Sequence, residues 1–338
     1  MSPGHSRSAL VVGAGISGIA CATAMAEAGV IPLVVDRGRA VGGRMASRIL
    51  RDTGTAFDGR VVDIGASYFT VSSAEFRAVV DDWIARDLAQ PWTDTFHVAD
   101  SEGIQAVRTG PMRYSASGGL RSLIVDSASR LPEVWSSIDV ASVSADETSL
   151  VVDGERRSAV ALCMPNPQAH RLIDSSLMSP ALQAALSGLT YEPVIAVTVV
   201  FDRQCWEDFD GMFVNDDPVL TWIANDGSRR GDDAPVLVAH VNPVLAARHL
   251  DDPASVLPLV LATLRRVLSL TEQPTWVDAH RWTFAKPMAA HSEAYYLDED
   301  RLLALGSDAW AAGPKVETAW LSGHLLGTEL GRRLLDSD

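Results

Sequence analysis

Three glycines and one acidic residue near the amino terminus have the spacing of a dinucleotide-binding site. Gly13, Gly15 and Gly18 interrupt the apolar segment ALVVGAGISGIACATAMAEAGVIPLVVDRG (residues 9–38), near whose end Asp36 lies. In such a site the first glycine makes a tight turn, the second lets a diphosphate approach the backbone, and the third lets a helix pack closely on a strand. The acid accepts hydrogen bonds from ribose hydroxyls. The four residues therefore predict a site for the diphosphate and ribose of a dinucleotide.

The segments around the glycines predict the βαβ unit that positions such a site. Residues 9–12 have the pattern of a buried parallel strand, residues 16–28 that of a helix, and residues 31–35 that of a second strand. The first turn of the helix would present N–H groups and the positive end of the helix dipole to the phosphates. Three glycines would weaken the apolar helix of a secretory signal peptide, which argues against that alternative. The predicted cofactor contacts in this unit are Gly13, Ala14, Gly15, Ile16, Ser17, Gly18, Asp36 and Arg37.

A second glycine turn follows within a cluster of arginines, although the chain as a whole is acidic. The turn is formed by Gly42 and Gly43, and the basic residues around it are Arg37, Arg39, Arg44, Arg48 and Arg51. Their clustering beside a predicted phosphate site favours a specific contact with an anion. This stretch resembles the second glycine motif of the flavoproteins of the monoamine oxidase and phytoene desaturase superfamily. The resemblance implies that Gly43 and Arg44 contact the cofactor.

A distant third segment favours FAD over a nicotinamide cofactor. RLLALGSDAWAAGPKVETAWLSGHLLGTEL (residues 301–330) has the pattern of a strand, a turn and a helix, and it resembles the C-terminal flavin motif of the same superfamily. The resemblance implies that Asp308 caps the ribityl-phosphate side of the flavin, and that the helix N-terminus at Lys315, Val316 and Glu317 faces its pyrimidine end. Folds that bind only a nicotinamide have no need for such a segment. The motif contains no cysteine, so we predict that FAD is bound non-covalently.

Several motifs narrow the resemblance to the renalase family of small flavoproteins. VVDIGASYFT (residues 61–70), HRWTFAKP (residues 280–287) and GPKVETAWLSG (residues 313–323) are similar to segments of that family, and RYSASGGLRSLIVDSASRL matches more loosely. The sequence departs from the family at Ser67, where Gln is usual, and at Gly119, where Met is common. GSDAW also has one residue more than the family's GDW. The resemblance implies further flavin contacts at Ile64, Gly65, Ala66, Ser67, Val140 and Met164.

The resemblance and the order of the elements imply an α/β fold class with two domains. The first is a discontinuous FAD-binding Rossmann-like domain, and the second is an α+β substrate domain built on a mostly antiparallel sheet. Short strands between residues 135 and 163 form the expected β-meander, and β-branched segments between residues 194 and 242 form the expected substrate platform. The predicted FAD-binding domain comprises residues 1–75, 112–173 and 276–338, and the predicted substrate domain comprises residues 76–111 and 174–275.

The composition limits the partners and the kinds of site. The 338 residues are 47% hydrophobic, enough for one large core or two smaller ones, and the net charge of −15 argues against nucleic acid or an anionic membrane as a partner. Paired acids such as Asp216–Asp217 are predicted to be solvated. The three widely spaced cysteines fit a reducing cytoplasm, and the eight histidines lack metal-ligand spacing, so no metal site is predicted. The oligomeric state stays open.

The renalase resemblance implies an FAD-dependent oxidase that acts on a small molecule. The expected substrate is a dihydronicotinamide, an isomer of NAD(P)H reduced at a different ring position, whose hydride passes to FAD while O2 is reduced to hydrogen peroxide. Such a donor needs no proton-abstracting base. The candidate catalytic or pocket residues are Tyr68, Trp282, His280 and Lys286, and further aromatic candidates are Trp222, Tyr295, Tyr296 and Trp310.

Two alternatives to this function remain. A flavin amine oxidase or desaturase acting on a small metabolite would need an aromatic cage around an amine or a long apolar tunnel. Lys286 resembles the lysine that some amine oxidases aim at the flavin. His280 could act as a base or could have only a structural role. A flavin-binding protein without turnover, acting as a sensor or scaffold, is the second alternative.

Overall fold

The computed structural model describes residues 8–147, 149–311 and 313–336. Its strands are β1 (Ala9–Val12), β2 (Leu33–Asp36), β3 (Ser47–Ile49), β4 (Val61–Asp63), β5 (Gln90–Asp100), β6 (Gly103–Ser115), β7 (Val134–Ser136), β8 (Val143–Ala145), β9 (Leu150–Val152), β10 (Glu155–Arg157), β11 (Ala159–Leu162), β12 (Tyr191–Val200), β13 (Gly211–Val214), β14 (Leu220–Asn225), β15 (Val236–Val241), β16 (Trp276–Pro287), β17 (Tyr296–Asp298) and β18 (Leu303–Leu305). Its α-helices are α1 (Ile16–Glu27), α2 (Ala74–Ala85), α3 (Leu120–Ser129), α4 (Asn166–Leu172), α5 (Pro180–Leu186), α6 (Asp226–Arg230), α7 (Pro243–Arg248), α8 (Leu257–Val267) and α9 (Val316–Asp336). Short 3-10 helices lie at Gly43–Met45, Ser175–Leu177 and Pro253–Val256.

The chain packs into two compact units, each built from separate stretches of sequence. Unit 1 comprises Met1–Gly43, Ile124–Thr190 and Pro287–Asp338. Unit 2 comprises Arg44–Leu123 and Tyr191–Lys286. Residues 44–75, 112–123 and 276–286 thus pack with unit 2, and residues 174–190 with unit 1, which differs from the predicted domain boundaries. The assignment of FAD binding and substrate binding to separate domains stays a prediction.

Unit 1 is organised around a parallel sheet. In the described part of the chain this sheet has six strands in the order β17-β18-β11-β1-β2-β7, in which only β17 runs antiparallel to its neighbour. β1, β11 and β18 are buried along their whole length, as a parallel sheet covered on both faces requires. β8, β9 and β10 form a small antiparallel meander. The Rossmann-like character of this half is confirmed, and so are the two middle strands of the predicted meander. The strands predicted at residues 135–139 and 159–163 instead belong to the parallel sheet as β7 and β11, and β10 was not predicted.

Helix α1 packs against helix α9 at the level of the backbone. Gly323, Gly327 and Gly331 are four residues apart, so they share one face of α9. A Cβ atom on Gly323 would lie 1.9 Å from the carbonyl oxygen of Ser17, and one on Gly327 would lie 2.1 Å from that of Cys21. Because real Cβ atoms do not approach that closely, only glycine permits this packing. The first and last helices of the chain therefore form one layer under the glycine turn.

Unit 2 is built on a mixed sheet that is mostly antiparallel, as predicted. Over the described residues its strand order is β16-β12-β15-β14-β13-β5-β6, and β13 and β5 form a parallel pair within it. The cross-strand register places Val197, Ala239, Ile223 and Met212 side by side on one face. These residues are fully buried in a core that includes Val260 and other residues of α8. Helices thus cover this face of the sheet.

The opposite face of the same sheet carries the aromatic and polar candidates. Ala196, His240, Trp222 and Phe213 are successive cross-strand neighbours on β12, β15, β14 and β13. We call this side the aromatic face. On β16, Trp276 and Trp282 pack with Ala196, so by alternation His280 and Lys286 lie on the aromatic face as well.

Candidate active site

The carboxyl ends of the parallel strands in unit 1 lie at one edge of the sheet. The register pairs Val12 with Val35 and Leu162, and it pairs Leu162 with Leu305. Ligands of open α/β sheets bind outside the carboxyl ends of the strands. The residues that follow these strands are Gly13 after β1, Arg37 after β2, Cys163 and Met164 after β11, and Gly306 after β18.

The glycine turn leaves no room for side chains at two of its three glycines. Gly13 has a φ of +107°, and its N–H donates to the carbonyl of Val35 at 2.8 Å. A Cβ atom on Gly13 would lie 2.6 Å from the carbonyl oxygen of Cys163, and one on Gly18 would lie 1.8 Å from that of Gly13. Gly13 therefore packs directly on the residue that follows β11, and Gly18 packs directly on Gly13.

The middle glycine faces open space. A Cβ atom on Gly15 would meet only the Cα of Gly43, at 3.9 Å, and the φ of Gly15 is −77°, which any residue can adopt. Gly15 is also the N-cap residue of α1, so no side chain caps the N–H groups of that helix. The packing of the protein itself does not require glycine at position 15. A ligand group that approaches the backbone here would require it.

Asp36 links the second strand to the glycine turn. One of its carboxylate oxygens accepts a hydrogen bond from the N–H of Ala14 at 2.7 Å, and the other accepts one from the N–H of Gly38 at 2.6 Å. The neighbouring Arg37 is exposed. The carboxylate thus holds the turn in shape, and its predicted contact with a ribose stays a prediction.

The C-terminal motif brings a set of buried polar groups to the same edge. The hydroxyl of Ser322 on α9 accepts from the N–H of Ser307, and the hydroxyl of Ser307 accepts from that of Ala309, both at 3.1 Å. Asp308 is 8% exposed. The hydroxyl of Ser17 is buried and finds no hydrogen-bond partner among the described residues. Ser17 borders this group because its hydroxyl lies 3.5 Å from where a Cβ on Gly306 would stand.

The other predicted contacts in unit 1 lie near strand ends or the start of α9. Val140 is buried in the segment that follows β7, and Met164 is half-buried after β11. Lys315 is exposed immediately before α9, whereas Glu317 is buried in its first turn. An uncapped helix, free space at Gly15 and an unpartnered Ser17 hydroxyl fit the diphosphate of a dinucleotide such as FAD.

In unit 2, residues 64–68 form a segment held by neighbours on several elements; we call it the 64–68 segment. The N–H of Ala66 donates to the carbonyl of Arg44 at 2.8 Å, and the Arg44 side chain donates to the carbonyl of Ala285 at 3.0 Å. A Cβ atom on Gly65 would lie 2.1 Å from the Arg44 carbonyl oxygen. The predicted contacts Arg44, Ile64, Gly65, Ala66 and Ser67 therefore form one packed group.

Tyr68 projects into a cluster of aromatic rings. Its ring centroid lies 5.2 Å from that of Phe96, 5.6 Å from that of Trp222 and 6.3 Å from that of Trp92. The guanidinium of Arg113 lies 4.0 Å from the centroid of Phe96. Burial raises the pKa of Tyr68, and the Arg113 charge offsets part of that rise, so the phenol is neutral at pH 7. The cluster thus consists of rings tilted or edge-on to one another, with a cation over the ring of Phe96.

Trp282 and His280 contact one another on the aromatic face. Their ring centroids are 4.8 Å apart, and the indole N–H of Trp282 donates to the carbonyl of Ile64 at 2.6 Å. Burial, followed by the charge of Arg48, lowers the pKa of His280, so its imidazole is neutral at pH 7. Lys286 is exposed, with its ammonium 3.8 Å from a carboxylate oxygen of Glu192.

The remaining aromatic candidates divide between the two units. Trp222 lies within the cluster around Tyr68. Tyr295, Tyr296 and Trp310 belong to unit 1, where Trp310 is buried and stacked on His291 at 4.2 Å. One of the four candidates therefore belongs to unit 2 and three belong to unit 1.

A buried ion-pair network behind the 64–68 segment was not predicted. Asp226 contacts Arg60, Arg229 and Arg230, and Arg230 also contacts Asp63 at 3.0 Å. The carboxylates are at most 1% exposed. The only signal in the sequence was the unusual run of charges in DGSRRGDD, which has the composition of a solvated loop.

The network predicts a protein that loses stability in acid. Burial alone would raise the pKa of Asp226, but Arg229, Arg230 and Arg60 lower it to about 2. Burial and the Arg229 charge lower the pKa of His240 to about 4. Each pKa is lower in the folded state than in the unfolded state, so the unfolded state takes up the proton first. Stability present at neutral pH is therefore lost as the pH falls.

We expect the free energy of unfolding to fall between pH 6.5 and 4 through His240 and between about pH 4 and 2 through Asp226, the latter by about 2.5 kcal/mol. Urea unfolding followed by tryptophan fluorescence at several pH values measures this. His240→Gln should flatten the upper part of the curve, whereas the control His170→Gln, at an exposed histidine, should not. Parallel curves for the two variants would contradict the prediction.

Neither a membrane span nor a metal site is found in the part of the chain that the structure describes. No helix there is long and apolar enough to cross a bilayer. No three His, Cys, Asp or Glu residues there are grouped as a metal ion requires.

Comparison with known proteins identifies the family. A model of the NAD(P)-binding Rossmann-like domain matches residues 11–83, and a model of flavin containing amine oxidoreductases matches residues 109–325, more than half of the chain. A protein from Exiguobacterium sp. 255-15 assigned as a protoporphyrinogen oxidase has a similar fold, with a TM-score of 0.75 and 17% identity over 97% of this chain and 99% of that one.

Two solved amine oxidases share the fold as well. Putrescine oxidase bound to putrescine matches with a TM-score of 0.71 and 17% identity over 98% of this chain and 99% of its own. Cyclohexylamine oxidase from Brevibacterium oxydans IH-35A matches with a TM-score of 0.74 and 12% identity over the same shares. The matched family model is that of flavin-containing enzymes, and the chain belongs to the flavin-containing amine oxidoreductase family as an FAD-dependent oxidoreductase.

Proposed function

We propose that the protein oxidises a dihydronicotinamide, an isomer of NAD(P)H, as the resemblance to the renalase family implies. The observation that carries the proposal is the guanidinium of Arg113 behind the aromatic cluster of Tyr68, Phe96 and Trp222. Aromatic faces attract either cations or flat rings. A fixed cation at the cluster disfavours an ammonium group and favours a neutral ring attached to anionic phosphates.

The neutral state of two half-buried polar side chains, Tyr68 and His280, supports the same substrate. The shifts in pKa leave both Tyr68 and His280 neutral at pH 7. Neither group then carries the charge that would anchor an ammonium ion. We assign Tyr68, Trp222 and Trp282 to stacking on the substrate, and His280 to positioning through its contact with Trp282.

We assign cofactor binding to the groups that surround the open space at Gly15. The N-terminus of α1 and the Ser17 hydroxyl would receive the diphosphate, Asp36 a ribose, and the start of α9 the flavin ring. Bound FAD would supply the hydride acceptor and pass the electrons to O2, which leaves as hydrogen peroxide.

An amine oxidase is the second candidate, because the family and two of its solved structural relatives are named for amines. Anaerobic mixing of the purified protein with single donors, followed by flavin absorbance, distinguishes the two. We expect rapid bleaching with dihydronicotinamide isomers and none with putrescine or cyclohexylamine. The reverse result would assign the protein to amine oxidation. A protein bleached by neither class would be a binding protein without turnover.

The pH dependence of flavin bleaching gives a second test. A dihydronicotinamide carries a ring nitrogen whose lone pair drives hydride release, so no protein base is needed and the rate should be nearly flat from pH 6 to 9. His280→Ala and Lys286→Ala should each slow the rate by less than about tenfold, the loss expected from imperfect positioning. An amine must first lose its proton, so its oxidation rises steeply with pH. A steep profile with a large loss in either variant would reject the proposal.

We expect FAD to be released intact when the protein is precipitated with acid. Cys163 and Cys21, the cysteines of unit 1, are buried, and none lies in the C-terminal motif. After centrifugation the yellow colour should be in the supernatant. The test measures flavin absorbance in both fractions, and colour retained in the washed pellet would indicate a covalent link.

A further inference from the structure

The 64–68 segment receives side-chain hydrogen bonds from three different elements. Trp282 on β16 donates to the carbonyl of Ile64 at 2.6 Å. Trp222 on β14 donates to the hydroxyl of Ser67 at 3.0 Å, and Arg229 on α6 donates to the carbonyl of Ser67 at 2.8 Å. Only one of these donors, Arg229, carries a charge.

Arg229 is entirely buried, and its charge is balanced by Asp226. Both side chains are 0% exposed, and a second carboxylate, that of Asp63, lies 3.8 Å away. Removing two charges from water is costly, and buried ion pairs contribute little net stability compared with apolar residues of the same volume. The pair is therefore better explained by the geometry that it imposes than by the stability that it adds.

That geometry reaches Tyr68 through a single peptide unit. One terminal nitrogen of the Arg229 guanidinium donates to Asp226. The other terminal nitrogen donates to the carbonyl of Ser67, the residue immediately before Tyr68. Because the fork is planar and rigid, fixing one end on Asp226 fixes the other. The neighbouring Ser67 hydroxyl is fixed in turn by Trp222, whose ring stands 5.6 Å from that of Tyr68.

We propose that Arg229 is a positioning residue of the oxidation site, which holds the Ser67 carbonyl and thereby sets the orientation of the Tyr68 ring toward the substrate. The proposal rests on the proposed function, because that function places Tyr68 against the substrate. A lysine at this position would keep the charge beside Asp226 but would lack the fork that also reaches Ser67. Arg229→Lys therefore separates positioning from charge balance.

The experiment compares the wild-type holoprotein with Arg229→Lys and with a matched control, Arg266→Lys. Arg266 also pairs with a buried carboxylate of unit 2, that of Asp217 at 2.5 Å, and its second hydrogen bond goes to the carbonyl of Ser101 rather than to the 64–68 segment. Two quantities are measured: amide hydrogen exchange of the peptides that cover residues 64–70, and KM and kcat for a dihydronicotinamide. A third variant, Trp222→Phe, removes the other donor to Ser67 without leaving a buried charge.

We expect exchange in residues 64–70 of Arg229→Lys to be at least about tenfold faster, and KM to rise about tenfold while kcat changes less. Trp222→Phe should likewise speed exchange in residues 64–70, and Arg266→Lys should change neither exchange nor KM. Wild-type exchange in Arg229→Lys, or faster exchange with an unchanged KM, would overturn the proposal. A wild type that oxidises an amine instead overturns only the proposed function, since exchange and the KM for that amine still test Arg229.

Discussion

Gly15→Val is expected to yield a folded protein that does not retain FAD, whereas Gly18→Ala is expected to be severely destabilised. A Cβ atom at position 15 would meet only the Cα of Gly43, at 3.9 Å, and valine can adopt the φ of −77°. Its branched side chain would fill the space that a diphosphate needs beside the backbone. Alanine at position 18 would place its Cβ 1.8 Å from the carbonyl oxygen of Gly13, which no small adjustment relieves.

The measurement is FAD content after purification, together with circular dichroism and thermal unfolding of the apoprotein. We expect Gly15→Val to match wild-type apoprotein in its unfolding temperature and to bind FAD at least about 100-fold more weakly, a loss of roughly 3 kcal/mol. Gly18→Ala should be insoluble or should unfold at a much lower temperature. A yellow Gly15→Val protein would show that the diphosphate lies elsewhere.

Gly327→Leu should destabilise the protein by more than about 4 kcal/mol, the range of the most damaging substitutions. Its Cβ would lie 2.1 Å from the carbonyl oxygen of Cys21, so α9 must move away from α1. Because α1 begins at the glycine turn, FAD binding should be lost with the packing.

The matched control is Thr328→Leu, which adds the same side chain one residue later, on the exposed side of α9. This substitution removes the hydrogen bond from the Thr328 hydroxyl to the carbonyl of His324, which is 2.9 Å long. Urea unfolding should therefore place Thr328→Leu within about 1 kcal/mol of wild type. Equal unfolding midpoints for the two leucine variants would show that the helices do not pack as described.

The Rossmann-like half of the molecule could be predicted because its signals are local. β1 spans the predicted residues 9–12, α1 ends one residue before the prediction, and β2 begins at Leu33 rather than at residue 31. Gly13 and Gly18 are required by the backbone at the end of β11 and by the turn itself, and Gly15 follows from the spacing of the motif. A short stretch of sequence therefore contains the information.

The buried charges of unit 2 could not be predicted in the same way. Arg230 and Asp63 are separated by 167 positions, so no local pattern relates them. The prediction that the paired acids are solvated is wrong for Asp217, which is 2% exposed and bound to Arg266. A charged side chain is exposed when it is solvated by water, but here Asp63 and Asp217 are paired with arginines on helices that are distant in sequence.

The contact between α1 and α9 also has a consequence for synthesis of the protein. The glycine face of α9, which packs against α1, is translated about 300 residues after α1. At ordinary elongation rates this takes about 15 to 60 s. Until then the carbonyls of Ser17 and Cys21 have no glycine face to pack against. A nascent chain thus carries its glycine turn long before α9 has been made, and stable uptake of FAD should follow the synthesis of α9.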